Sequence, residues 1–350
     1  MKDLQKCFLI ALLIVFSPYP LWAFEVDGIC YNIIKPCKWN VEGSIGEVEV
    51  SFNGDTDPYW RDWFYEGDTV IPDYVVDEGG YKYAVVAIGD QAFHGCPITS
   101  LFIPHTLRSI GEEGLLECQE LVSVKVDENN PVFDSRDDCN AIIETATNTL
   151  VYGFNCSSIP STVTEIGRNA FLYMSKMTSI EIPNSVKAIG YGAFSSCVSL
   201  QSVVLPDMLE TIGDEAFFGC INLTTITIPQ SVKNIGEDAF GLCPCISTVY
   251  SFIADPFDLQ DDFWNSTIDP NPHWEDAVLY VPKNTKQLYL NASGWNAFHH
   301  IVEMEEGTTG IDDMELQPNT DEYIYNISGQ RLQEATKGIR IINGRKVLVK

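Results

Sequence analysis

The side chains of this 350-residue chain best suited to chemistry are its eleven cysteines and five histidines. A thiol can attack as a nucleophile, hold a soft metal or close a disulfide, and each use demands its own spacing. The catalytic and metal spacings are not met. Cys243-Pro244-Cys245 has one residue between the thiols, whereas redox and zinc motifs have two. His299-His300 adjoins Phe298, a setting for packing or solvent rather than for a metal, and His94, His105 and His273 lack a matching ligand pattern. There is no His-Glu-x-x-His, no Gly-x-Ser-x-Gly, no phosphate-binding loop and no dinucleotide-binding glycine pattern. Acidic pairs such as Asp137-Asp138 and Asp261-Asp262 follow from abundance, since Asp and Glu together number 49. No catalytic residue, metal ligand or cofactor is therefore assigned, and no enzymatic activity is expected.

The spacing the cysteines do obey is that of a repeat. Cys96, Cys118, Cys197, Cys220 and Cys243 each stand eight residues after the Ile of an Ile-Gly step, and Met174 takes that place in one further copy. A position that Met can fill reads as a small buried apolar filler, so the thiols stack as a ladder inside the fold. Cys30 with Cys37, and Cys139 with Cys156, lie outside the ladder and are the candidate disulfide pairs. The steps begin at Ile88, Ile110, Ile166, Ile189, Ile212 and Ile235; the last three intervals are 23 residues, and the 56-residue gap before Ile166 holds an insertion.

A period of this size predicts a solenoid, whose coils are stable only when stacked. Thr178-Ser179-Ile180-Glu181-Ile182-Pro183 alternates as a short strand, with Ile180 and Ile182 inward and Pro183 ending it. Asn184-Ser185-Val186 leads to Ile189-Gly190, where glycine is expected to permit a backbone turn. Ala193-Phe194 brings the chain back, the Phe filling the layer between coils.

The phrase Ile-Gly-x-x-Ala-Phe-x-x-Cys-x-x-Leu-x-x-Ile-x-Ile-Pro-x-Ser-Val resembles the leucine-rich repeat family and, within it, the BspA-like surface proteins of Bacteroidetes bacteria. Gly114-Leu115 and Tyr173-Met174 depart from it. The fold implied is a β-rich solenoid of about 23-residue repeats with a parallel sheet, an N-terminal β cap and a small C-terminal β unit. Residues 24–87 would form the cap and a first partial repeat, 88–257 the repeats with an insertion at 127–160, and 258–307 a C-terminal cap. Residues 308–350 would form a β tail with a hairpin across Asn343-Gly344. The tail is similar to type IX sorting domains of Bacteroidetes; a plain β appendage is the other reading. Residues 1–23 read as a secretory signal peptide, with Lys2 and Lys6, an apolar run from Cys7 to Phe16, and Leu21-Trp22-Ala23 before the cut. The run is short for a membrane span, so a secreted or cell-surface (outer-membrane) location is expected, with no membrane span after cleavage.

Two surfaces are expected to bind partners. By register Phe102, Lys125, Glu181, Val204 and Thr227 point outward. Beside them runs a hydroxyl column of Ser100, Ser123, Ser179, Ser202, Thr225 and Thr248, which tight strand spacing also explains. In leucine-rich repeats this concave face is the usual site for protein partners. The second surface is the aromatic segment Tyr59, Trp60, Trp63, Phe64 and Tyr65, a platform for sugar or protein or else a cover for the end of the solenoid. The formal net charge of −28 argues against double-stranded nucleic acid and an anionic membrane as partners. The resemblance implies adhesion or recognition of an extracellular protein, from host matrix or a bacterial surface. Glycan binding by the aromatic segment and self-association into an envelope structure are the alternatives.

Overall fold

The computed structural model describes residues 23–38, 41, 43–52, 65–259 and 276–304, and the backbone of four strands between 324 and 349. The expected signal peptide up to Trp22, the aromatic residues Tyr59, Trp60, Trp63 and Phe64, and Asp261, Asp262 and His273 lie outside the described residues. The chain divides into two compact units, Met1–Ser175 and Lys176–Lys350.

The first unit contains β1 (Ala23–Val26), β2 (Ile29–Lys35), β3 (Gly46–Ser51), β4 (Gly67–Val70), β5 (Tyr74–Val76), β6 (Lys82–Ile88), β7 (Ile98–Ile103), β8 (Ser109–Ile110), β9 (Ser123–Val126), β10 (Phe133–Asp134), β11 (Ile142–Glu144), β12 (Thr149–Tyr152) and β13 (Glu165–Ile166). A mixed sheet runs β1-β2-β3-β6-β5, with β8 also on β6. Within it β3, β6 and β8 are parallel neighbours, and the other pairings are antiparallel. A second sheet, β4-β7-β9, is parallel throughout. The long gap between repeats carries the antiparallel run β10-β11-β12, after which β12 pairs in parallel with β13.

The second unit contains β14 (Ser179–Glu181), β15 (Ala188–Ile189), β16 (Ser202–Val204), β17 (Thr211–Ile212), β18 (Thr225–Ile228), β19 (Asn234–Ile235), β20 (Thr248–Ser251), β21 (Val278–Val281), the helix α1 (Lys286–Asn291) and β22 (His300–Glu303). Strands β14-β16-β18-β20-β21-β22 form one parallel sheet, and β15-β17-β19 a second. The tail has β23 (Ile324–Tyr325) antiparallel to β24 (Arg331–Leu332) and β25 (Gly338–Ile342) antiparallel to β26 (Arg345–Val349). Ile342 pairs with Arg345, the register expected of two strands joined across Asn343-Gly344. Among the described residues no helix is long and apolar enough to cross a membrane.

One repeat shows why the coils stack. Ile226 and Ile228 are fully buried while Thr225 and Thr227 of the same strand keep partial exposure, the period-2 pattern of a half-buried strand. Ile212, Ala216, Phe217, Cys220 and Leu223 fill the layer behind, all at zero exposure. Phe194, Phe217 and Phe240 stack face to face, with centroids 5.1 Å and 5.3 Å apart and planes within 7° and 5° of parallel. The ladder residues Cys96, Cys118, Cys197, Cys220 and Cys243 are buried, as is Met174.

The thiols do more than fill space. The Sγ atoms of Cys118, Cys220 and Cys243 donate to the carbonyls of Phe93, Phe194 and Phe217 of the preceding coil at 3.2, 3.2 and 3.1 Å. The same carbonyls accept the backbone N–H groups of Cys96, Cys197 and Cys220. A carbonyl with two lone pairs is thereby satisfied on both, once within its coil and once across the layer. Cys30, Cys37, Cys139 and Cys156 all stand as free thiols. Cys37 Sγ donates to Lys82 O at 3.2 Å and Cys156 Sγ to Leu121 O at 3.5 Å, so the two candidate pairs face different partners.

Burial pushes the Cys118 and Cys243 thiols well above their ordinary range. Alkylation requires thiolate and access. Iodoacetamide applied to the native protein at pH 8 is therefore expected to modify the exposed Cys245 first and Cys156 next. The five ladder cysteines should react only after denaturation. Modification of Cys118 or Cys220 in the native state at the rate of Cys245 would contradict this packing.

The glycine of Ile-Gly has a different role from the expected turn. None of Gly111, Gly213 or Gly236 has a positive φ. A Cβ on Gly213 would lie 2.7 Å from the carbonyl carbon of Gly190 and 2.8 Å from the nitrogen of Tyr191, both backbone of the previous coil. One on Gly111 would meet the Asp90 nitrogen at 2.5 Å and the Gly89 carbonyl carbon at 2.7 Å. Glycine stands there because adjacent coils touch backbone to backbone. The turning falls to two other positions, three and seven residues after each Ile. In the second unit these are Gly192, Ser196, Glu215, Gly219, Asp238 and Leu242, all left-handed with φ between 50° and 70°. Where the pattern is complete, each sends its N–H to the next coil: Gly192 to Asp214 O, Ser196 to Phe218 O, Glu215 to Glu237 O and Gly219 to Gly241 O.

Candidate protein-binding face

The inward residues of each strand are committed to the core, so the outward ones are left to meet solvent or a partner. In the first unit the parallel register sets Val70, Phe102 and Lys125 in one row across β4, β7 and β9. Val70 is 63% exposed, Phe102 half-buried and Lys125 exposed. The row two residues upstream is Asp68, Ser100 and Ser123. There the Asp68 carboxylate accepts from Ser100 Oγ at 2.7 Å and Thr99 Oγ1 at 3.0 Å, and these two bonds hold its pKa below the ordinary value.

In the second unit Glu181 and Val204 pair across β14 and β16. The column continues with Thr227, Tyr250, Tyr280 and Val302 across β18, β20, β21 and β22. Glu181 and Val302 are exposed, and the four residues between them are half-buried. The parallel hydroxyl row is Ser179, Ser202, Thr225 and Thr248, and beyond the repeats it passes to Val278 and His300. The five outward residues expected from the sequence thus fall on outward sheet positions, two in the first unit and three in the second.

Tyr250 and Tyr280 were not among the expected contacts. Their rings stack with centroids 4.9 Å apart and planes 19° from parallel, close to the strand spacing itself. Burial, and then the neighbouring Tyr280 hydroxyl, raise the pKa of Tyr250. Tyr250 lies 23 residues after Thr227, so the period alone could have found it. Tyr280 lies 30 residues beyond Tyr250, outside the repeat spacing, and only the pairing of β20 with β21 brings the two together.

Tyr65, expected as a contact in the aromatic segment, is instead packed inside at 8% exposure. Its ring lies 4.9 Å from that of Phe93. Its hydroxyl donates to Ser51 O at 2.5 Å and accepts from Cys30 N at 3.0 Å. A large ring beside the first coil covers apolar surface that would otherwise meet water, and its hydroxyl bonds β2 and β3.

Among the described residues no group of three or more His, Cys, Asp or Glu side chains could hold a metal ion. The chemistry the face offers is apolar contact, hydroxyl hydrogen bonding, aromatic surface and negative charge.

Residues 82–138 and 151–258 match the family model of the BspA type leucine rich repeat region, in six copies. No curated protein matches the chain. Among crystal structures, the pneumococcal vaccine antigen PcpA is 15% identical over 81% of this chain and 99% of its own, with a TM-score of 0.48. A leucine-rich repeat protein from Eubacterium ventriosum is 17% identical over 62% of this chain and 48% of its own, with a TM-score of 0.39. A leucine rich cell surface protein from Faecalibacterium prausnitzii is 21% identical over 76% of this chain and 72% of its own, with a TM-score of 0.37.

Proposed function

Residues 82–138 and 151–258 of this chain are BspA-type leucine-rich repeats, and from that premise we propose that the protein is a non-enzymatic recognition or adhesion protein. It binds an extracellular protein, of host matrix or of a bacterial surface, through the outward face of its parallel strands. The observation that carries this reading is the division of labour along each strand. The inward residues build the core, while Val70, Phe102, Lys125 and the column from Glu181 to Val302 stand on the outward positions of the same strands, exposed or half-buried. Export by the segment 1–23, retention at the cell surface and a sorting role for the tail belong to the same proposal. The net charge of −28 favours partners with basic patches and a salt-sensitive association rate.

The test is a binding panel of extracellular matrix and bacterial surface proteins against the immobilised full chain. Val204→Arg places a bulky cation in the outward column, and Asn234→Arg places the same cation on an exposed position of β19 in the other sheet. A partner is expected to lose at least about tenfold in affinity with Val204→Arg, the cost of one disrupted interface contact, and to tolerate Asn234→Arg. The paired change Phe102→Ala with Lys125→Glu probes the first unit in the same way. Equal effects of the arginine on both sheets would sink the proposal. Glycan binding lost on Trp60→Ala with Trp63→Ala would replace it with a carbohydrate reading, and concentration-dependent multimers of the chain alone would replace it with self-association.

A further inference from the structure

We propose that Tyr250 and Tyr280, with the shorter Thr227 and Val302 on either side of them, form a subsite for a lysine or arginine side chain on an extended segment of the partner protein. The proposal rests on the recognition reading above and gives its partner a chemistry.

The rings are not needed to fill the core. The inward positions of the same strands are taken by Val249, Ser251, Leu279 and Val281, all at zero exposure. What remains for Tyr250 and Tyr280 is the outward face, where register sets them side by side between Thr227 and Val302. Each ring covers one face of the other, and its second face looks along the column, toward the shorter Thr227 on one side and the shorter Val302 on the other. An aromatic face carries negative potential and attracts a cation placed within about 6 Å of its centre. The first unit already contains that contact, with Lys82 Nζ 4.0 Å from the centre of the Tyr74 ring.

Charge selects the occupant. The six strands of this sheet contain no Lys or Arg, and their only carboxylates are Glu181 on the first strand and Glu303 on the last. An incoming cation therefore meets no fixed cation of the chain on these strands, and the overall charge of −28 draws it in. Thr225 and Thr248, two residues upstream of Thr227 and Tyr250, supply hydroxyl donors and acceptors to a backbone lying across the strands. A sugar platform is the poorer match, because a sugar ring needs a broad open face, and the second face of each ring here is flanked by Thr227 or Val302 at one strand spacing.

The experiment measures binding of a fluorescent decalysine peptide, and a decaarginine peptide in parallel, to the full chain at about 0.15 M salt, where long-range attraction is damped. Tyr250→Leu with Tyr280→Leu leaves the net charge untouched. Each exposed cation–aromatic contact accounts for about two- to fivefold in affinity, so the double change is expected to weaken both peptides about tenfold, while Tyr250→Phe with Tyr280→Phe retains binding. Unchanged affinity in the leucine variant overturns the subsite. If that variant melts early, Thr227→Lys decides: a resident cation beside the Tyr250 ring should displace the peptides, and undiminished binding again overturns the subsite. Partner binding lost with Val204→Arg but kept with the leucine pair would leave the face standing and remove only the subsite. A neutral oligosaccharide whose binding is lost with the leucine pair would overturn the cationic assignment in favour of carbohydrate.

Discussion

Gly213→Ala is expected to destabilise the second unit by about 2–3 kcal/mol, the cost of forcing added atoms into a filled space. The new methyl carbon would sit 2.7 and 2.8 Å from backbone atoms of Gly190 and Tyr191. Neither atom is the end of a side chain that can swing away. Relief requires the two coils to separate, and separation weakens the hydrogen bonds from Gly213 N to Ile189 O and from Gly192 N to Asp214 O. For a unit of this size the loss corresponds to a fall in Tm of roughly 5–10 °C. Ser202→Ala, on an exposed position of β16, is the control and should move Tm by less than about 1 °C. Calorimetric melting of the three proteins checks this. A Gly213→Ala protein that melts with the control would show that the coils do not touch through their backbones.

Phe217→Ala should cost more, about 3–5 kcal/mol, because it removes a fully buried ring and leaves a cavity. Phe217 is the middle member of its stack and touches Phe194 on one side and Phe240 on the other. Coils in a solenoid exchange stability with their neighbours, so damage at one layer reaches both adjacent layers. Hydrogen exchange should therefore speed up at the amides of Phe194 and Phe217 and at Cys220, which bridge successive coils or close the turn behind the ring. The tail hairpins and the first unit serve as internal references. Faster exchange confined to the coil that contains residue 217 would contradict coupling through the stack.

The repeat, the inward isoleucines, the buried cysteines and the closing hairpin were legible in the sequence because each depends on a periodic or local signal. Ile226 alternates with Thr225, and Cys220 recurs at a fixed offset from Ile212, so the side of the strand and the depth of the thiol follow from counting. The role of Gly213 was not legible. A glycine that permits a positive φ and a glycine that permits close approach look the same in one dimension, and only the neighbouring backbone distinguishes them. The left-handed positions were also hidden, because Gly192, Glu215 and Asp238 share a conformation but not a residue type. So was the purpose of two acids. Nothing in the spacing singles out Asp90 and Asp214 from the other acids, yet each Oδ1 accepts the N–H of the next coil, from Glu112 at 2.8 Å and Glu237 at 2.9 Å. At the candidate site the register placed Phe102, Lys125, Glu181, Val204 and Thr227 on outward positions. It stopped at the last repeat, so Tyr280 was invisible as the neighbour of Tyr250, and the segment of Tyr65 read equally as a platform or as a cover for the end of the solenoid, of which its interior ring fits only the cover.

The forward hydrogen bonds of the coils at Ile189 and Ile212 repeat at equivalent positions, with Phe194 N bonded to Ala216 O and Phe217 N to Ala239 O. The thiols of Cys220 and Cys243 likewise reach back to equivalent carbonyls. The upper and lower surfaces of a coil are therefore complementary to each other. A gene duplication of one 23-residue unit inserts a part that already fits on both sides, and a deletion closes without a scar. Each such event adds or removes one row of outward side chains at a step of about 4.8 Å. Lineages can thus change the length of the outward face by copying DNA in frame, with no new packing to be invented.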